Sequence, residues 1–403
     1  MTRWFAFLVA LFPLAASGSA YAQCAGCAVE WSNGAVTNLT PPGSFGGEAF
    51  SINNAGQIAG TNDGGPVVWS NGNITSLGLG GGGSSTPFDI NDAGQIAGYR
   101  FVGNVTVATE WSNGNVINLG GLPGSVDSFA SGINNSGQIA GDSQYIVNNN
   151  GFTIAAEWIN GAVINLGGLL GFTDSGASGI NNAGQVVGGS IVDGVDYATE
   201  WSNGSIINLG PGVASSINNN GQAVGSNNGF AAEYSNGQVI NLGALPGSFG
   251  SVAYSINDAG VAVGLSWIIV DGGVEPLATE WDDGTIINLG GLPGYTDSLA
   301  WSINDAGQVV GSSQTIAPPP IPVPEPSTWA MMIVGFAGLT LAGCRWGACS
   351  LIRLVQLIPP LARRYTLCNM KSVASVIGRW DRHTRPSIPT ITSQKDWACL
   401  RVA

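Results

Sequence analysis

Two short patterns alternate along this chain, seven times each, and that alternation restricts the fold more than any other feature. The first is an aromatic followed by a Gly-bearing turn. It begins at Trp31, Trp69, Trp111, Trp158, Trp201, Tyr234 and Trp281. The second is Ile-Asn-x-x-Gly, beginning at Ile52, Ile90, Ile133, Ile180, Ile217, Ile256 and Ile303. Strict alternation gives seven units with a mean period of roughly 42 residues, within the range of propeller repeats.

Within a unit, Asn-Gly between two apolar runs is a strong hairpin signal, because a type I′ turn needs positive φ at both central residues. Ala108-Thr109-Glu110-Trp111 therefore reads as one strand and Val116-Ile117-Asn118-Leu119 as its antiparallel partner. After a Gly/Pro segment comes a strand ending at Ile133-Asn134, then a turn, then a strand over Gln138-Ile139-Ala140-Gly141. Four short strands are the content of one propeller blade. Composition agrees. Only 9% of residues are charged and 62 are Gly, so the polar face that long exposed helices need is missing. A single small sheet with two apolar faces cannot bury both, but blades stacked around an axis can. The predicted fold is an all-β, seven-bladed propeller of four-stranded antiparallel blades over residues 23–315, with the repeated aromatic packed between blades. The final strand, Gln308 to Gly311, is placed to complete the first blade and remove the free edge. A parallel β-helix is the rival architecture, with paired hairpin turns arguing against it.

The Trp-x-x-Gly-x-x-x-x-Leu-Gly run (Trp111 to Gly120) and the Ile-Asn-x-x-Gly-x-x-x-Gly run (Ile133 to Gly141) resemble the HAF family of extracellular repeats. The resemblance covers nearly all of residues 30–313. It implies extracellular placement and no defined activity. Unit two departs from it, with Val68 in place of the usual Glu and Gly80 to Gly83 in place of Leu-Pro. Unit five is shortened around Gly210-Pro211-Gly212.

The flanking segments read differently. Arg3, the apolar run Trp4 to Ala16 and the small residues of Ala20-Tyr21-Ala22 predict a signal peptide over 1–22, with a signal helix. Gln23 is too large for the residue a lipidation signal needs before Cys24. Cys24 and Cys27 suit a local disulfide or an idle thiol pair. At the other end, residues 316–328 form a Pro-rich spacer. An apolar segment follows, predicted as a short membrane helix over 329–344. Its core of about 15 residues falls short of the roughly 20 that span a bilayer comfortably. Pro324, Glu325 and Pro326, then the apolar helix, then Arg345 resemble a PEP-CTERM sorting signal. That resemblance implies an exosortase-type partner, transient membrane insertion, and release or attachment at the surface of a Gram-negative cell. It also implies an association with exopolysaccharide and biofilm. The basic tail, residues 345–403, departs from such signals and shows no repeat. It reads as a frameshift or read-through product, expected to hold little stable structure, with a basic membrane-surface tail as the alternative.

Charge restricts function. Between Gln23 and Ala317 the one basic residue is Arg100, against all but three of the chain's 25 carboxylates. Nucleic acid is therefore not an expected partner, since phosphate contacts need Lys and Arg. That stretch also contains no His or Lys, which removes His-based triads, His metal sites and Schiff-base chemistry. Two carboxylate sets stand out. Glu30, Glu110, Glu157, Glu200, Glu233 and Glu280 each precede the aromatic. They read either as structural hydrogen-bond acceptors or as a cation-attracting ring around the central channel. Asp127, Asp174 and Asp297 begin an Asp-Ser-x-Ala pattern and read either as turn-stabilising groups or as ligand contacts at one mouth of the ring. Copies repeated blade after blade are not a distinguished acid/base pair. No catalytic residue and no cofactor is expected, and a metal in the channel is left open. The expected function is that of an exported, non-enzymatic binding or structural protein of the bacterial envelope, engaging exopolysaccharide or a surface partner. The alternative is a carbohydrate-active hydrolase or lyase on the same ring.

Overall fold

The computed structural model describes residues 24–78, 84–148, 150–171 and 174–314. The expected signal peptide, the spacer with Pro324, Glu325 and Pro326, the sorting helix and the basic tail all lie outside these residues. Among the described residues no helix is long and apolar enough to cross a membrane.

The Asn-Gly or Asp-Gly turn after each of the seven repeated aromatics adopts the backbone its sequence demands. From Asn33-Gly34 to Asp283-Gly284, φ is 44–52° at the first residue and 73–80° at the glycine. Each turn joins two antiparallel strands, and the described strands form seven four-stranded sheets. Every pairing is antiparallel, which overturns the β-helix alternative and establishes a seven-bladed propeller of four-stranded blades.

Blades one to seven take their innermost strands from Gly47–Ile52, Ser85–Ile90, Asp127–Ile133, Ser175–Ile180, Val213–Ile217, Gly250–Ile256 and Asp297–Ile303. In blade three the second, third and outermost strands are Ile139–Val147, Asn150–Ile159 and Ala162–Asn165. The sequence unit thus begins in the third strand of one blade and ends in the second strand of the next. Blade seven closes the ring: Asp297–Ile303 and Val309–Gln314 from one end of the fold pair with Gly26–Ser32 and Ala35–Asn38 from the other. The disulfide Cys24–Cys27 sits beside this closure, and Tyr295 Oη donates to the Cys24 carbonyl at 3.0 Å.

No blade has a core of its own. Ala97 and Ala108 of blade two pack with Ile133, Ile139 and Trp158 of blade three, and an equivalent shared cluster fills each of the seven interfaces. The repeated aromatics are buried in these clusters, as expected. Each Trp Nε1 also donates to a carbonyl of the crossover loop leaving the preceding blade, as Trp158 does to Gly120 at 3.2 Å. A buried indole N–H needs such a partner, so the contact fixes blade spacing as well as filling it.

The repeated asparagine of Ile-Asn-x-x-Gly does more than turn the chain. Asn181 Oδ1 accepts from the backbone N–H of Ala183 and Gln185, and its Nδ2 donates to Gln185 Oε1 and to the Asn218 carbonyl of the next blade. Its hydrogen-bonding capacity is then fully used. The same interblade bond runs from Asn53 through Asn91, Asn134, Asn181, Asn218 and Asn257 to Asn304, and back to the Asn53 carbonyl, at 2.9–3.2 Å. A second ring lies outside it. The backbone N–H of each residue 54, 92, 135, 182, 219, 258 and 305 donates to the side-chain Oδ1 of the next in the circle, at 2.8–3.0 Å.

A β-bulge interrupts the innermost strand of every blade, at Phe50, Phe88, Ser131, Ser178, Ser215, Tyr254 and Trp301. It presses the innermost strand against the second, which explains the last glycine of the repeat. A Cβ at Gly188 would collide with the Gly176 carbonyl, and the other six blades repeat the contact.

Replacing Asn181 with Ala leaves the backbone N–H groups of Ala183 and Gln185 without their acceptor and removes the bond to the next blade, and is expected to cost about 3 kcal/mol in urea unfolding. Gly188→Ala is expected to cost about 1–3 kcal/mol through overpacking. Ile117→Ser, on an exposed outermost strand, is expected to change stability by less than about 0.5 kcal/mol.

Candidate functional site: the axial channel

The innermost strands border the axis. Their Ile-Asn ends and the Asn-Gly hairpins share one end of the ring, called here the asparagine end. The channel there forms a cavity of about 170 Å³, walled by the two hydrogen-bonded circles and by Asp89. Asp89 breaks the repeat: the other blades carry Ser51, Gly132, Gly179, Ser216, Ser255 and Ser302 at its position. Its carboxylate accepts from Ser51 Oγ at 2.7 Å, from the Ile90 N–H at 2.9 Å and from the Ile133 N–H of blade three at 2.8 Å. Burial raises its pKa above the ordinary aspartate value, and these three bonds pull the other way.

Farther from the asparagine end, the seven bulged residues make a second ring, and this one is chemically divided. Going round the circle from blade six, the series reads Tyr254, Trp301, Phe50, Phe88, then Ser131, Ser178, Ser215. Four aromatics are followed by three hydroxyls. All seven are half-buried. Both faces of an innermost strand are covered by neighbouring blades, so exposure retained in mid-strand opens toward the axis. Bulges re-aim side chains in this way. Tyr254 and Trp301 lie with ring centroids 4.6 Å apart, Phe50 and Phe88 at 6.1 Å, and Tyr99 extends the arc from Phe88 to Phe129 at 5.3 Å on each side. Trp301 Nε1 donates to Glu48 Oε1 at 3.1 Å.

On the hydroxyl side a cavity of about 270 Å³ opens between blades three, four and five, bordered by Ser131, Asp142, Asp174, Ser178 and Asp196. Two glycines make room for it. Gly176 stands where other blades carry Phe129, Val252 or Leu299, and Gly189 where they carry Tyr99 or Leu265. Asp142 has no acidic counterpart in the other blades, and burial pushes its carboxyl up to about 6.

The carboxylates singled out in the sequence fall into two separate places. Glu110, Glu157, Glu200 and Glu280, with Glu30 and Glu233, sit in the third strands, two strands out from the axis. The expected cation-attracting ring around the channel is therefore corrected: a residue beside the repeated aromatic belongs to the third strand, and the axis is bordered by another. Five of these glutamates accept from a glutamine Nε2 at 2.8–3.2 Å, as Glu110 does from Gln95, Glu157 from Gln138 and Glu200 from Gln185. Burial raises Glu157. In blade six Val261 replaces the glutamine, and Glu280 is raised by burial and by neighbouring Asp282.

Asp127, Asp174 and Asp297 lie at or just before the start of innermost strands, away from the asparagine end. Asp127 and Asp174 accept from the backbone N–H of Thr106 and Thr153 in the preceding blade, and the serine after each accepts from Ala108 or Ala155. The Asp-Ser pattern is a staple between blades. Thr296 Oγ1 donates to Asp297, whose carboxyl is raised by burial against that bond. Of the three, Asp174 also borders the cavity. Among the described residues no group of three or more His, Cys, Asp or Glu is placed to hold a metal ion. Sequence reasoning passed over Asp89, Asp142, Asp196 and the bulged ring. The available signal was departure from the repeat: each of these residues breaks a column that the other units hold in common or fill differently.

No family model and no curated protein matches this chain. Among solved structures it is similar to a protein described as TolB from Agrobacterium tumefaciens, at 11% identity over 73% of this chain and 100% of that one, with a TM-score of 0.44. It is also similar to TolB from Acinetobacter baumannii, at 15% identity over 67% of this chain and 64% of that one, TM-score 0.37. A third likeness is to the tricorn protease, at 10% identity over 64% of this chain and 33% of that one, TM-score 0.24. None of the three bears on ligand or activity.

Two measurements check the electrostatics. Val261→Gln supplies Glu280 and Asn257 with the partner that other blades have, and is expected to stabilise the fold by about 1 kcal/mol and to lower the Glu280 pKa, read by carboxyl NMR. Asp142 binds its proton more tightly in the folded chain than in the unfolded one. Its contribution to stability is therefore present below about pH 4 and is lost as pH rises through about 6. Asp142→Asn is expected to gain up to about 3 kcal/mol over the parent between pH 4 and 7 in urea titrations.

Proposed function

We propose that this chain is an exported surface protein of a Gram-negative envelope, with a non-enzymatic binding role directed at exopolysaccharide. The observation that carries the reading is how the repeated carboxylates are used. The glutamates are paired with glutamines and the Asp-Ser motif staples neighbouring blades, so the repeat supplies a scaffold, while the side chains that differ between blades gather at the axis. Propellers offer ligands their axial openings, and an acidic domain with one basic residue suits neutral glycans over polyanions. The signal-peptide features and the sorting motif Pro324-Glu325-Pro326 support export, an exosortase-type processing partner and a surface address.

A second reading, a glycan hydrolase or lyase, draws on one observation. Asp142 is unrepeated, raised to about 6, and shares a cavity with Asp174. A buried acid that holds its proton toward neutral pH, with a second carboxylate in the same cavity, is part of what glycoside hydrolysis requires.

The two readings separate in one experiment. The full chain is incubated with exopolysaccharide purified from its own organism. Retention without release of reducing ends is the expected outcome. Absence of retention counts against the binding role, and release of reducing ends that Asp142→Asn abolishes would establish the enzyme instead.

A further inference from the structure

The bulged ring narrows the binding role to a place and a ligand class. A seven-fold repeat gives no reason for one half of a ring to be aromatic and the other half hydroxylic. The two halves nevertheless face each other across the channel, Tyr254, Trp301, Phe50 and Phe88 against Ser131, Ser178 and Ser215. The cavity lies on the hydroxyl side, at the channel end opposite the asparagine circles, where Asp142 and Asp174 offer carboxylate acceptors. Its 270 Å³ falls just below the roughly 300 Å³ at which small-molecule sites begin, so it suits one ring of a longer chain. The combination calls for a ligand with an apolar face and a hydroxylated edge. A pyranose has both: its C–H face packs on aromatic rings and its hydroxyls donate to serine and carboxylate oxygens. The carboxylates, and the absence of Lys and His among the described residues, disfavour uronates and sulfated sugars.

We propose that this end of the axial channel binds a neutral oligosaccharide, with one pyranose ring seated in the cavity cut by Gly176 and Gly189 and adjoining rings stacked on the arc of Tyr254, Trp301, Phe50 and Phe88. The site deepens the exopolysaccharide reading and rests on it.

The test titrates the full chain with cellopentaose and mannopentaose, and with tri-galacturonate as the anionic counterpart, following calorimetry and Trp fluorescence. Trp301→Ala removes a stacking surface. Gly176→Leu fills the cavity, and it is sterically mild because a Cβ there meets a single neighbouring atom, Asp142 Oδ2 at 3.8 Å. Binding of a neutral pentaose, weakened at least tenfold by each variant while the Gly176→Leu melting curve stays that of the parent, is the expected result. The proposal is overturned if neither neutral pentaose binds, if Gly176→Leu binds like the parent, or if tri-galacturonate binds as tightly as they do. Retention on the native exopolysaccharide is measured in parallel. Retention that survives Gly176→Leu places binding elsewhere on the protein, sinking this site while the broader reading stands; loss of retention by the parent chain sinks both.

Discussion

Everything in this ring depends on one side-chain amide used seven times. An asparagine can accept two hydrogen bonds and donate two, and in six blades all four are spent: two acceptances shape its own turn, one donation locks the turn to its glutamine, and one reaches the next blade. In blade six, where Val261 replaces the glutamine, Asn257 makes the other three. The last of these is directional. Each blade gives to its successor, and the final blade gives to the first. Such a circle can be satisfied throughout only if it closes, and closure at seven gives every asparagine in it an acceptor in the next blade. The apolar clusters obey the same logic, since each is split between two blades and neither half would be covered alone.

This division between a cooperative scaffold and its exceptions organises the chemistry. Most acids of the domain look functional in a sequence because they recur, yet recurrence is the mark of their structural work. Glu110 and Glu200 are held by glutamines, and Asp127 and Asp174 hold neighbouring backbones. The residues with chemistry to spare are the irregular ones. Asp89 occupies a serine or glycine column, Asp142 a column with no other acid, and Gly176 a position filled elsewhere by Phe129 or Leu299. Keeping the backbone bonds identical lets single blades change what they present at the axis without disturbing closure.

Much of the fold was legible beforehand because its signals are local. Asn-Gly turns fix hairpins through backbone φ alone, and the two alternating motifs count the blades. The closing strand was also readable, since the first repeat begins and the last repeat ends in the middle of a blade. What was not legible is which strand lies innermost. Glu110 and Ser131 belong to strands of similar length and pattern, and nothing within a few residues of either tells that one is two strands from the axis and the other beside it. That assignment follows from the bonds of Asn134 and Asn181 to neighbouring blades, which are contacts some 40 residues apart in sequence. The bulge was invisible for the same reason. The glycine at position 188 marks it, but a lone glycine in a strand has several explanations until the carbonyl of Gly176 is seen beside it.

Blade seven has a consequence for how the molecule comes into being. Its outer two strands are the first to be synthesised and its inner two are the last. During translation, residues 26–38 wait with an open ladder edge until Val309–Gln314 arrives. No partial product short of Asn304 and Asp305 can complete either circle of amide bonds. The ring therefore gains its full cooperativity late, when its first and last described strands meet in one sheet.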